Sequence, residues 1–139
     1  MGASAWYEIG GYAADAGEAL LEAQTKTLRG RGYDVDSPAE LWADEQWVES
    51  VGAGGTGTVL DLREIIGEDE ADRFATLRPM PAAEFSRLLG VKYPAYNIFL
   101  DGYLDGRLPQ PESRGSARSA VLYRDGEPSE IVYWGLTAD

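Results

Sequence analysis

Chemistry in this chain has to be done without two of the most versatile side chains. Its 139 residues include no Cys and no His. That excludes disulfides, zinc sites built on thiolate or imidazole, cysteine nucleophiles and every Ser–His or Cys–His arrangement. Carboxylates, Tyr, Lys, Arg, Ser and Thr remain. Paired carboxylates do acid–base work when one of them is buried. With 24 acidic residues, however, chance pairs are many, and no catalytic residue stands out.

Four groups of residues have types and spacings that bear on function. Trp42, Glu45 and Glu49 fall together on the outer side of a helix whose inner side carries Leu41, Val48 and Val51. A large aromatic beside acids is the pattern of an interface anchor with a steering rim, and these three are the candidate protein-binding residues. Tyr96 and Tyr103 lie seven apart on another helix and are the candidates for a ligand pocket, although an aromatic stripe at helical spacing is first of all a core stripe. Asp101 and Asp105, each followed by Gly, put two carboxylates one turn apart. No calcium-loop spacing surrounds them, so a solvated face accounts for them and no metal site is expected. The glycine-rich run Gly52–Gly57 invites a phosphate-loop reading. It follows a helix, contains no Lys and lies where basic residues are absent, so it reads as a connection, and no cofactor is expected.

Charge narrows the partners. Twelve basic and 24 acidic residues leave a net charge of −12. A surface that neutralises phosphates needs the opposite sign, so neither direct nucleic-acid binding nor an anionic membrane surface is expected. From Gly32 to Leu62 there is no Lys or Arg, while Asp34, Asp36, Glu40, Asp44, Glu45, Glu49 and Asp61 all fall there. Such a stretch suits a basic protein partner. No apolar run is long enough to span a membrane. Met1 to Trp6 lacks the regions of a signal peptide and, with Trp6 in place of Ser or Thr, the myristoylation pattern, so a cytoplasmic location is the expectation.

The elements that must position these residues read as follows. Ala5–Ile9 is a strand. Asp15 and Glu18 have capping-box spacing and open a helix to about Leu28. Ser37-Pro38-Ala39-Glu40 is a helix start with Ser37 as cap and Glu40 reaching back to it, and the spacing predicts one helix to about Val51. From Val59 to Ile66 a short extended piece should pass into a helical turn. Residues 70–77 read as helix, with the acidic run Glu68-Asp69-Glu70 and Asp72 as its negative first turn. Pro81 starts a short helix that Gly90 ends. Pro94 opens a helix with a stripe of Tyr96, Phe99, Leu100, Tyr103 and Leu104, and Phe99 and Leu100 at its middle should be buried. Ser119–Arg124 and Ser129–Trp134 form a hairpin. A two-residue turn at Asp125-Gly126 would set Val121 opposite Glu130. A four-residue loop to Pro128 pairs Leu122 with Ile131 and Val121 with Val132, and is the preferred register.

These elements make an α+β fold: a single small domain in which the N-terminal strand and the C-terminal hairpin share one antiparallel sheet packed against several helices. The expected function is a non-enzymatic acidic protein-binding domain of inhibitor, immunity, antitoxin or regulatory-adaptor type. The alternative is a small enzyme or small-molecule-binding domain using Tyr and carboxylates in a cleft between sheet and helices.

Overall fold

A computed structural model describes residues 3–139. Met1 and Gly2, on which the leader and lipidation readings partly rest, lie outside the described residues. In chain order the elements are β1 (Ala5–Gly11), α1 (Ala16–Gly30), α2 (Pro38–Trp42), α3 (Glu45–Ala53), a 3₁₀ turn (Val59–Asp61), β2 (Glu64–Ile65), β3 (Thr76–Pro79), α4 (Ala82–Leu89), α5 (Tyr96–Leu104), β4 (Ala117–Arg124) and β5 (Glu127–Leu136). No helix among the described residues is long and apolar enough to cross a membrane.

The fold is α+β, with all five strands in one sheet of order β1-β5-β4-β3-β2. β1 pairs with β5 as expected, from Ala5 opposite Leu136 to Gly11 opposite Glu130. The sheet is nevertheless mixed, which corrects the expectation of a purely antiparallel one. β4 pairs antiparallel with β5, but β3 pairs parallel with both β4 and β2. The parallel step from β3 to β4 needs a long crossover, and α4 and α5 lie within it. The unexpected strands come from residues 64–65 and 76–79. Residues 70–77 fail as a helix because Ala75 sits at φ 64°, outside the right-handed helical region. In addition, Leu77 is buried while Phe74 is 41% exposed, so the apolar residues share no face. Between Val59 and Ile66 the expected order is reversed: the 3₁₀ turn comes first and the extended pair follows.

Both faces of the sheet are covered, which is why β5 reads as a continuous apolar run. Ile131 and Tyr133 turn toward α1, where they meet Trp6, Ala19, Leu20 and Ala23. Val132 and Trp134 turn toward α4 and α5, where they meet Phe85, Leu89 and Phe99. A third cluster joins Leu28 of α1 to Leu41, Trp47, Val51 and Leu60. α1 begins as its spacing predicts, with the Asp15 carboxylate accepting from the Glu18 amide at 3.1 Å. It lies close on β1: a Cβ at Gly10 would stand 3.1 Å from Ala23 Cβ.

The predicted helix over 38–51 is two helices. Ala43 ends α2, and Asp44 caps α3 by accepting from the Gln46 amide at 2.9 Å. The inward residues explain the break, since Leu41 and Trp47 are six apart and cannot share a face of one continuous helix. Ser37 makes no side-chain cap; Glu40 accepts instead from the Asp36 amide at 3.1 Å.

α4 ends at Gly90 in the left-handed conformation, as expected. On α5, Phe99 is fully buried and Leu100 only partly, while Leu104 is 74% exposed. The inward face is centred on Phe99 and Gly102 because Leu89 of α4 fills the space a Cβ on Gly102 would take. Close helix approach therefore accounts for one of the two Asp-Gly repeats.

The hairpin uses the two-residue turn, which corrects the preferred register. Asp125 and Gly126 both have positive φ, 53° and 78°, as a tight turn of this length requires. Tyr123 then faces Pro128, and a bulge between Leu122 and Tyr123 restores the apolar register, with Val121 opposite Ile131 and Ala120 opposite Val132. Pro128 fits this ladder because the Tyr123 amide turns away, donating to the Pro94 carbonyl at 2.8 Å.

Candidate functional site

The break between α2 and α3 leaves α2 lying across α1 with a groove between them. Leu21 and Gln24 of α1, Pro38, Ala39 and Trp42 of α2, and Arg63 before β2 line a cavity of about 440 Å³. Trp42 is half-buried in its wall. Its ring meets Phe74 edge-on at 6.4 Å, and the Arg63 guanidinium lies 5.7 Å from its centre. Its indole N–H is buried without a hydrogen-bond partner. Leu21, 54% exposed, and Phe74 widen this into an apolar area at the surface. Gln24 is tied down below it, donating to the Val59 and Leu62 carbonyls at 3.0 and 2.7 Å.

Glu45 and Glu49 are exposed on α3, on the far side of the break from Trp42 and outside the groove lining. The single-helix arrangement that united the three residues is therefore replaced by a groove on α2 and an acidic helix after it. Among the described residues, the ion pairs use Glu64, Glu70, Asp72 and Asp105. No carboxylate from Asp34 to Glu49 takes part in one.

The seventh acid of that stretch behaves differently. Asp61 is buried, and the glycine-rich run closes around its carboxylate. The Thr56 amide donates to it at 2.8 and 3.0 Å, the Thr56 hydroxyl at 2.7 Å and the Gly57 amide at 2.9 Å. The loop thus performs anion-cradling geometry on an anion of its own chain.

Tyr96 lies at a second cleft, about 480 Å³, between the start of α5 and the β4–β5 hairpin. Its hydroxyl is 3.1 Å from that of Tyr7, and this hydrogen bond, with a smaller contribution from burial, raises its pKa above the usual phenol value. Tyr103 does not line that cleft; it stacks on Phe99 at 5.4 Å and meets Tyr7 edge-on at 5.5 Å. Asp101 and Asp105 are exposed, with Asp105 3.7 Å from Arg107. No cluster of three or more groups that could hold a metal ion exists among the described residues.

The strongest electrostatic constellation had no signal in the sequence. The Asp72 carboxylate, with no exposed side-chain surface, accepts from Arg118 at 2.6 Å, Arg78 at 3.2 Å and the Glu112 amide at 2.8 Å. Burial alone would raise its pKa, but these hydrogen bonds outweigh it and hold the carboxyl below the usual carboxylate range. It pins the 66–75 loop to β3, β4 and the segment before β4. Arg118 lies 46 residues from Asp72, and only the unforeseen strand β3 brings Arg78 alongside it. Leu21 and Arg63 escaped notice for the same reason: the groove exists only once α2 is laid on α1.

In comparison with known proteins, the chain matches no protein-family model, no curated protein and no solved structure.

Proposed function

We propose that the protein is an acidic protein-binding domain, of inhibitor, immunity, antitoxin or adaptor type, whose partner is a basic protein. The observation that carries this reading is the set of carboxylates from Asp34 to Glu49 that form no ion pair among the described residues, next to an apolar groove walled by Trp42. Unpaired like charges oppose the compact state and are relieved when an opposite surface docks. The groove supplies the apolar area, and Trp42 the aromatic anchor, that such contacts concentrate their energy on.

The test is a pull-down from the native host with wild type, Trp42→Ala and the double variant Glu45→Gln/Glu49→Gln. Wild type should retain one stoichiometric basic protein and release it as salt rises. With that partner purified, the double variant should slow association and flatten its salt dependence, whereas Trp42→Ala should speed dissociation. Because Trp42 is half-buried, its truncation should cost about half of the ~3–5 kcal/mol lost at a fully buried aromatic, as read in a thermal melt. Unchanged kinetics in both variants would end this reading.

A further inference from the structure

The cleft at the start of α5 differs in chemistry from the Trp42 groove. Its walls include three tyrosines, Tyr93, Tyr96 and Tyr123, with the carboxylates of Asp125 and Glu130 beside them. The Tyr93 and Tyr123 rings lie 5.1 Å apart, inclined at 55°. Two hydrogen bonds tie the walls to their surroundings: the Tyr96 hydroxyl meets that of Tyr7, and the Tyr123 amide donates to the Pro94 carbonyl. A cation already lies against one of these rings, since the Lys92 ammonium is 5.3 Å from the centre of Tyr93.

We propose that this cleft binds an organic cation of the alkylated ammonium class. Ring faces carry the negative part of the aromatic quadrupole and attract a diffuse positive charge without needing N–H donors from it. A methylated ammonium matches that surface, because it is too bulky and too poorly hydrated to prefer a point contact with a carboxylate. Asp125 and Glu130 border the cleft and offset the positive charge of its basic neighbours. Arg124 also borders it and pairs with no carboxylate among the described residues; with the Lys92 ammonium on Tyr93, two positive groups balance the two negative ones, and the ring faces carry the preference for a cation. The amides that open α5 and the Arg124 guanidinium are what a competing anion would use, and the experiment includes one for that reason.

The amide resonances of the protein are followed while choline chloride, its neutral isostere 3,3-dimethylbutan-1-ol, or sodium acetate is added at matched ionic strength. Choline should produce saturable shifts at residues 93–97 and 123–130, with the isostere binding at least ~10-fold more weakly. Tyr93→Leu, at a half-exposed position, and the isosteric Glu130→Gln should each weaken choline about 3- to 10-fold while leaving the melting temperature in place. Absence of saturation at tens of millimolar choline, equal binding of the isostere, tighter binding of acetate, or unchanged affinity in both variants would each overturn the assignment. The unpaired acids of α2 and α3 take no part in it, so its failure leaves the proposed protein interface untouched, and the reverse holds.

Discussion

The carboxylate of Asp72 has no contact with water and meets two guanidinium groups and an amide. Removing its charge would strand Arg118, whose side chain is only 8% exposed. Asp72→Asn should therefore cost about 3–5 kcal/mol at neutral pH, measured by denaturant unfolding. The pH dependence follows from the direction of the shift. The folded pKa lies below the unfolded value of about 3.9, so the stabilisation is complete above that value and disappears as pH falls through the folded pKa. The gap between wild type and Asp72→Asn should accordingly narrow as the solution is taken below about pH 4. A gap that stays constant down to acid unfolding would mean that the aspartate is not charged in the folded protein.

At the scale of elements, the glycine-rich loop is held by one side chain. Asp61→Ala would leave the amides of Thr56 and Gly57 without their acceptor, at a cost of at least ~2 kcal/mol. Hydrogen exchange at those two amides should speed up with it, and exchange rates equal to wild type would show that the loop holds its shape unaided. The same loop shows where sequence reading reaches its limit. Its rejection as a phosphate site followed from local facts, a preceding helix and no Lys, whereas the anion it does hold is four residues downstream across a turn. Elements marked by local chemistry were legible: the Asp15 cap, the Pro81–Gly90 helix and the existence of the hairpin that β1 joins, although its turn is the Asp-Gly pair and not the longer loop preferred from the sequence. Elements decided by tertiary partners were not. Thr76–Pro79 is a strand because β4 is beside it, Ala43 and Asp44 interrupt a helix because Leu41 and Trp47 must reach one cluster, and the bulge shifts the hairpin because both faces of β5 are buried. Of the candidate site residues, Trp42 and Tyr96 do line cavities. Glu45, Glu49 and Tyr103 are placed elsewhere by the helix break and by packing on Phe99.

Over the whole molecule, a net charge of −12 with few internal ion pairs makes the folded chain repel itself. Screening should relieve part of this, so the melting temperature should rise by a few degrees between low salt and about 0.5 M sodium chloride, where the screening length falls to a few ångströms. A melting temperature that falls over this range would place the balance with the paired charges around Asp72. The order of the strands has a consequence in time. β5 lies between β1 and β4, yet it is the last strand in the chain, and every other strand runs opposite to it. A ribosome that has released everything up to the turn at Gly126 has delivered a lone strand, β1, and a three-stranded piece, β2-β3-β4, with no neighbour for β1 or for the inner edge of β4. Vectorial synthesis then gives no head start, since β1 must wait for residues 130–136 to close contacts of very long sequence separation. A chain stopped after Gly126 should show no cooperative unfolding transition and should be cut readily by protease within β1 and β4, whereas the full chain resists. The final ten-residue strand would then act as the fastener of the fold, and until it is translated, the edges of β1 and β4 depend on chaperones or on speed to stay unpaired with other chains.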